Sequence, residues 1–217
     1  MNMGRRIEQL LSVIHSLYYN IRLFGWEGLR CPILIHYKTS VKGFRRGRII
    51  LNRKSFGIVT VGFKGTSSVQ GKKSIIDLVK GTLLFEGSAW FSEGVIIKNK
   101  GKLIFGDGFS SNKNCTFSCT RQISFGRDCL LGWNIHVRDS DGHTIFSNGK
   151  AKPSVTPVEI GNHVWIASES HILKGTAIPD DCVVGYGSLV NSRYDQPNTI
   201  IAGHPAKVVA SHIQWEI

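Results

Sequence analysis

Residues 160–190, cut into sixes, read IGNHVW IASESH ILKGTA IPDDCV VGYGSL V, and that cut decides the fold. Ile160, Ile166, Ile172, Ile178, Val184 and Val190 open the hexads. The fifth place is small or β-branched: Val164, Ser170, Thr176, Cys182 and Ser188. Gly161, Ala167 and Gly185 follow three of the openers. An α-helix, at 3.6 residues per turn, cannot keep one apolar face on a period of six. A plain strand alternates every two residues. Three short flat faces closing a triangle of about eighteen residues do have this period, with the aliphatic opener inside and the small residue near a corner. Each such coil buries its interior against the next, which makes a solenoid.

Outward from this stretch a coarser repeat appears. Phe85-Glu-Gly, Phe105-Gly-Asp and Phe125-Gly-Arg lie 20 apart, one coil plus two residues. Phe63, 22 residues before Phe85, sets the start of the coils near Ile49. The expected organisation is therefore a lead-in over 1–48, a β-helix over 49–194 and a capping segment over 195–217. The cap carries Pro197, Gly203 and Pro205, with a short helix expected to end near Trp215. Hexads stop at Val137 and resume at Ile160. The text between them, RDSDGHTIFSNGKAKPSVTPVE, is polar and holds two prolines. This makes 138–159 a long excursion, and such excursions from a compact fold usually carry function.

Before the coils, Ile7, Leu10, Leu11, Ile14, Leu17, Tyr18, Ile21 and Phe24 fall at helical spacing and predict an amphipathic helix. Such a stripe ordinarily packs on its own domain; the basic segment behind it makes contact with a membrane interface the alternative. The net charge of +12 resides wholly in the first 80 residues, which hold 15 Lys/Arg and 3 Asp/Glu, whereas the remainder holds 12 of each. Arg45, Arg46, Arg48, Arg53 and Lys54 form the densest cluster. A solvated basic face and attraction to an anionic membrane surface or a lipid-phosphate-linked acceptor both fit. Nucleic acid is not expected, because no RNA- or DNA-binding motif accompanies the charge. No run reaches the roughly 18 apolar residues of a bilayer span, and the N-terminus lacks the small-residue cleavage pattern of a signal peptide. Five cysteines without CxxC spacing, three of them (Cys115, Cys129, Cys182) at the small hexad position, read as packing residues. A reducing cytoplasm fits, with peripheral attachment at the inner face of the membrane as its extension.

The run GNHVWIASESHILKGTAIPDDCVVGYGSLV (161–190) with PNTIIAGHPAKVV (197–209) resembles the hexapeptide-repeat acyltransferases. The likeness is specific over 85–210. YYNIRLFGWEGLRCPILI (18–35) is similar to the lead-in of a subgroup of sugar O-acetyltransferases from capsule and O-antigen clusters. The resemblance implies an all-β solenoid, a left-handed parallel β-helix, although ordinary parallel crossovers are right-handed. It also implies a homotrimer with active sites between subunits, and direct transfer of an acyl group from acetyl-CoA to a glycan hydroxyl or an amine.

An acceptor hydroxyl is a poor nucleophile near neutral pH, so a base must take its proton as it attacks the thioester. Histidine suits the task. The resemblance places that role on His143, in Asp139-Ser-Asp-Gly-His143, beside Gly142. Asp139 or Asp141 would hold the imidazole tautomer. His136 is the rival base, on an outward-facing position. Backbone amides along the cleft would bind the oxyanion, and Asn112 aligns with an asparagine that contacts acceptor in the family. Carried over from the family, the donor contacts are Ala167 and Ser168 after Trp165, then Tyr186 and Gly187, with Lys207 near the coenzyme A phosphates. The chain departs from the family where Tyr186 replaces a small residue and Asn191-Ser192 replaces Thr-Lys, which shifts donor contacts or admits a longer acyl group. N-acylation of an amino sugar or small amine is the first alternative. A non-catalytic scaffold is the second, and the polar excursion argues against it. A metal-dependent hydratase on the same scaffold needs three converging histidines; no partner for His136 is expected one coil away in register, and no metal is expected.

Overall fold

The computed structural model describes residues 3–65 and 69–216, with residues 3–5 by backbone only; residues 1–2, 66–68 and 217, the last residue of the expected cap, lie outside the described residues. The chain winds through three mostly parallel sheets, visited in the order face 1, face 2, face 3 in each coil. Among the described residues, face 1 has nine strands, face 2 seven and face 3 six. Their registers link equivalent residues of successive coils, as in Ser111, Leu131, Ile166, Val184 and Ile201 on face 1. The hexad openers of the last coils are all buried, as are the small residues at the fifth place. The result is a triangular parallel β-helix.

Coil width follows side-chain size. In the 20-residue coils, face 3 sends Phe85, Phe105 and Phe125 inward as a stack, with centroids 5.4 and 5.6 Å apart and rings nearly parallel. Phe91, Phe109 and Phe117 meet them edge-on or tilted, the arrangement aromatic quadrupoles favour. Where the coils narrow, Ile160 and Ile178 continue the same column. The corners have their own requirement. Gly94, Asn114, Asn134, Glu169 and Gly187 occupy equivalent sites between faces 1 and 2, all with φ between 57° and 83°. Gly and Asn recur there because that left-handed conformation costs them least.

Two features differ from the sequence expectation. Parallel pairing begins at Ile33–Ile35, not near Ile49. Phe63 misled because it lies on face 1; the residue in register with Phe85 on face 3 is Leu51. The expected terminal helix is instead a strand pair, Thr199–Gly203 against Ala206–Ser211. It extends the open edge of face 1, where further backbone pairing satisfies groups that a helix would leave bare. The excursion forms a small antiparallel hairpin, Ile145–Ser147 with Lys150–Lys152. Its turn, Asn148-Gly149, has positive φ at both residues, the geometry of a tight hairpin.

At the other end a helix, α1 (Met3–Phe24), lies over the first strand. Its inward face is largely polar, with Leu23 buried near its C-terminal end. Asn20 exchanges hydrogen bonds with the N–H and C=O of Ile33 at 3.1 and 2.7 Å. Ser16 Oγ accepts from Ile35 N–H at 2.7 Å, and Ser12 Oγ accepts from Tyr37 N–H at 3.2 Å. Three side chains at i, i+4 and i+8 thus replace a neighbouring strand and close the sheet edge. Most of the apolar stripe (Ile7, Leu10, Leu11, Ile14, Tyr18 and Ile21) faces outward, because the edge the helix covers needs donors and acceptors, and Phe24 at its end packs against the core.

Candidate active site

Two features define the site, at opposite edges of face 2. The first is a ridge along the corner between faces 1 and 2. Asn112, Gly132, Ala167, Gly185 and Ala202 are equivalent residues there, and Trp133, Ser168 and Tyr186 form the adjacent row. Asn112 sits at its N-terminal end, its side-chain amide donating to Leu131 C=O at 3.2 Å. Lys207, opposite Ala202 in the terminal hairpin, sits exposed at the other end. Five strand spacings separate those ends, about 24 Å. Ala167, Ser168, Tyr186 and Gly187 all fall on this line. Tyr186 is largely exposed. The Ser168 side chain is buried, with its Oγ accepting from Trp133 N–H at 3.0 Å; its hydroxyl is used inside the corner. Trp165 lies on face 1, half-exposed, 6.0 Å from Trp215.

The second feature is the excursion, which leaves from the corner between faces 2 and 3. Its neck is a short ladder: Asp141 N–H donates to Ser154 C=O and Thr156 N–H to Asp139 C=O, both at 2.9 Å. The Asp139 side chain turns inward and is fully buried. It accepts the backbone N–H groups of Thr120, Arg121 and Gln122 at 2.7–2.8 Å. The coil that leaves for the excursion would otherwise cover those three donors. Asp141 pairs with Lys174 at 2.9 Å. Both carboxylates are therefore engaged elsewhere, and among the described residues neither meets His143. His143 stands exposed beyond Gly142, whose φ is 81°. Within one chain, then, the ridge and His143 are not brought together; face 2 lies between them.

On face 2 itself, His136 and His171 are in register with ring centroids 5.2 Å apart. The expectation of no matching histidine fails here. The excursion lengthens this coil to 35 residues, the same step that carries Phe125 to Ile160. Burial first, then the charges of His171, Lys72 and Arg138, holds the His136 imidazole below its ordinary value. Two histidines do not make a hydratase centre, and among the described residues no group of three His, Cys, Asp or Glu converges. His163 is a corner residue at φ 51°, stacked 4.0 Å from Trp215 and 2.9 Å from the Asp181 carboxylate. A cavity of about 1100 Å³ lies by α1 and the first coils, away from His143. No described helix is long and apolar enough to cross a membrane.

No protein-family model matches the chain. Known relatives do. Galactoside O-acetyltransferase of Escherichia coli is 29% identical over 146 residues, spanning 66% of this chain and 70% of that protein. Polysialic acid O-acetyltransferase of Neisseria meningitidis is 40% identical over 106 residues, about half of each chain. Among solved structures, the polySia-specific acetyltransferase NeuO superposes over 86% of this chain and 89% of its own with a TM-score of 0.51 at 18% identity. The parallel coils thus share the left-handed β-helix fold of that acetyltransferase. In sequence the chain is similar to sugar O-acetyltransferases of the hexapeptide-repeat type.

Proposed function

We propose that this enzyme transfers an acetyl group from acetyl-CoA to a hydroxyl of a surface polysaccharide, or of its lipid-linked or nucleotide-linked precursor, with His143 as general base. The observation behind this reading is the excursion, which offers one exposed histidine on a hairpin at the edge of face 2. The kinship with O-acetyltransferases of galactosides and polysialic acid supports the sugar acceptor. The imidazole takes the acceptor proton as the oxygen attacks the thioester carbonyl. The tetrahedral intermediate collapses with cleavage of the C–S bond, and the leaving thiolate recovers the proton from the imidazolium.

The ridge fits an extended donor arm: backbone turns along its length, Tyr186 exposed midway and the Lys207 cation at the end. Since face 2 separates that ridge from His143, a neighbouring subunit completes each site in a homotrimer. The exposed Ile145 and Phe146 of the hairpin supply apolar surface for that contact. The enzyme works in the cytoplasm, at the inner face of the membrane when its acceptor is lipid-linked.

Titration calorimetry of acetyl-CoA into wild type and His143→Ala, followed by release of CoA in the presence of glycan acceptors, tests the assignment. Equal binding with turnover confined to wild type is the expected result. Turnover by His143→Ala within tenfold of wild type would remove the base from this residue, and absence of binding by either protein would remove the transferase reading.

A further inference from the structure

We propose that the outer face of α1 is a docking surface for an anionic lipid bilayer. The helix is turned inside out relative to its sequence pattern. Ser12, Ser16 and Asn20 are buried against the first strand, whereas Ile7, Leu10, Ile14 and Ile21 point to solvent. Leu10 is 62% and Ile14 58% exposed. Beyond the helix, Trp26 is 89% exposed. Apolar surface of this extent on a helix already anchored by its opposite side marks an interaction site rather than a core.

Charge identifies the occupant. Arg6 and Arg22 lie on the two flanks of the apolar stripe by helical spacing. Arg22 donates to Phe44 C=O at 3.2 Å, which brings the exposed Arg45 and Arg46 to the same end, and the Arg46 guanidinium lies against Gly25. Among the described residues, none of Arg6, Arg22, Arg30, Arg45 and Arg46 joins a carboxylate in an ion pair. Glu8, the acidic residue nearest the stripe, is paired with Lys38. A helical seam between two copies calls for opposite charges at its margins; here both margins are cationic, so two copies would oppose like charges. An interface of acyl chains beneath anionic headgroups satisfies the stripe and its arginines together. Trp26 and Tyr18 have the amphipathic rings that settle at that depth. This deepens the reading of a membrane-carried acceptor without using any transferase chemistry, so either proposal can fail alone.

Flotation of the full chain with vesicles is the test. Wild type is expected to float with mixed phosphatidylcholine–phosphatidylglycerol vesicles and to stay behind with phosphatidylcholine alone. Leu10→Glu/Ile14→Glu, at exposed sites that leave the fold intact by circular dichroism, is expected to abolish flotation. Arg45→Gln/Arg46→Gln is expected to weaken it about tenfold or more, and raised salt to do the same. Failure of wild type to float overturns the proposal, as does undiminished flotation of the Leu10/Ile14 variant. A fall in oligomer mass for that variant by light scattering, with wild type indifferent to vesicles, would assign the face to a second copy instead.

Discussion

Asp139 shows how one side chain lets a coil be interrupted. A solenoid coil that departs for an excursion strands the amides of the coil beneath it, and a buried carboxylate accepting three of them repairs the loss. Asp139→Ala leaves those donors without a partner and is expected to lower stability by about 2–4 kcal/mol, measured by denaturant unfolding. Its effect on acetyl-CoA affinity of the folded protein should be small, since the ridge lies across face 2. An unchanged midpoint would show that water replaces the carboxylate at no cost. The sequence made Asp139 look like a partner for His143 because the two are four residues apart in one polar loop. Separation along a chain says nothing about which way a side chain turns, and the waiting donors sit in the previous coil. The pair of His136 and His171 was hidden for a related reason: 35 residues separate them, and a search at one regular coil length passes over it. The step from Phe125 to Ile160 carries the signal that would have found it.

At the scale of the element, α1 was readable as a helix and as amphipathic, but its orientation was not. Periodicity is the same whichever face is buried. What decides is the partner: an open strand edge offers N–H and C=O groups, and Ser12, Ser16 and Asn20 match their spacing. Asn20→Leu removes both partners of Ile33 at once. It is expected to cost about 2–4 kcal/mol and to expose the first coils to amide exchange before the rest; uniform protection along the helix would contradict this. The same junction should sense acid. Burial is the first cause holding both His15 and His36 below the ordinary value of 6.5, so the unfolded chain binds more protons than the native one below that pH. Stability is then full above about pH 6.5 and is lost as pH falls into the window beneath it. Thermal melts between about pH 7.5 and about pH 5.5 should show the decline, and His15→Gln should flatten it. A slope unaltered by that substitution would place the acid-sensitive groups elsewhere.

The whole molecule poses the question that no single chain answers. The hexads were legible because an inward face repeats whatever surrounds the coil, so residues 160–190 revealed their architecture without knowledge of any partner. A site shared between chains leaves no such periodic trace: its residues need only meet after assembly. Here the ridge from Asn112 to Lys207 and the excursion bearing His143 stand at opposite edges of face 2, and a base cannot act on a thioester from there. If a neighbouring subunit brings them together, each chain supplies half of two different sites. Two crippled chains should then repair one another. His143→Ala lacks the base but keeps the ridge. Tyr186→Glu/Lys207→Glu keeps the base but presents negative charge, at two exposed positions, to the phosphates of the donor. Each alone is expected to be inactive. Co-expressed as mixed trimers, with chains combining at random around a closed ring, they should recover about a quarter of wild-type turnover, because that fraction of subunit contacts pairs an intact base with an intact ridge. If the mixed trimers stay as inactive as their parents, base and donor come from one chain. The hairpin of residues 145–152 must then fold back across face 2, over His136 and His171, before acetyl transfer.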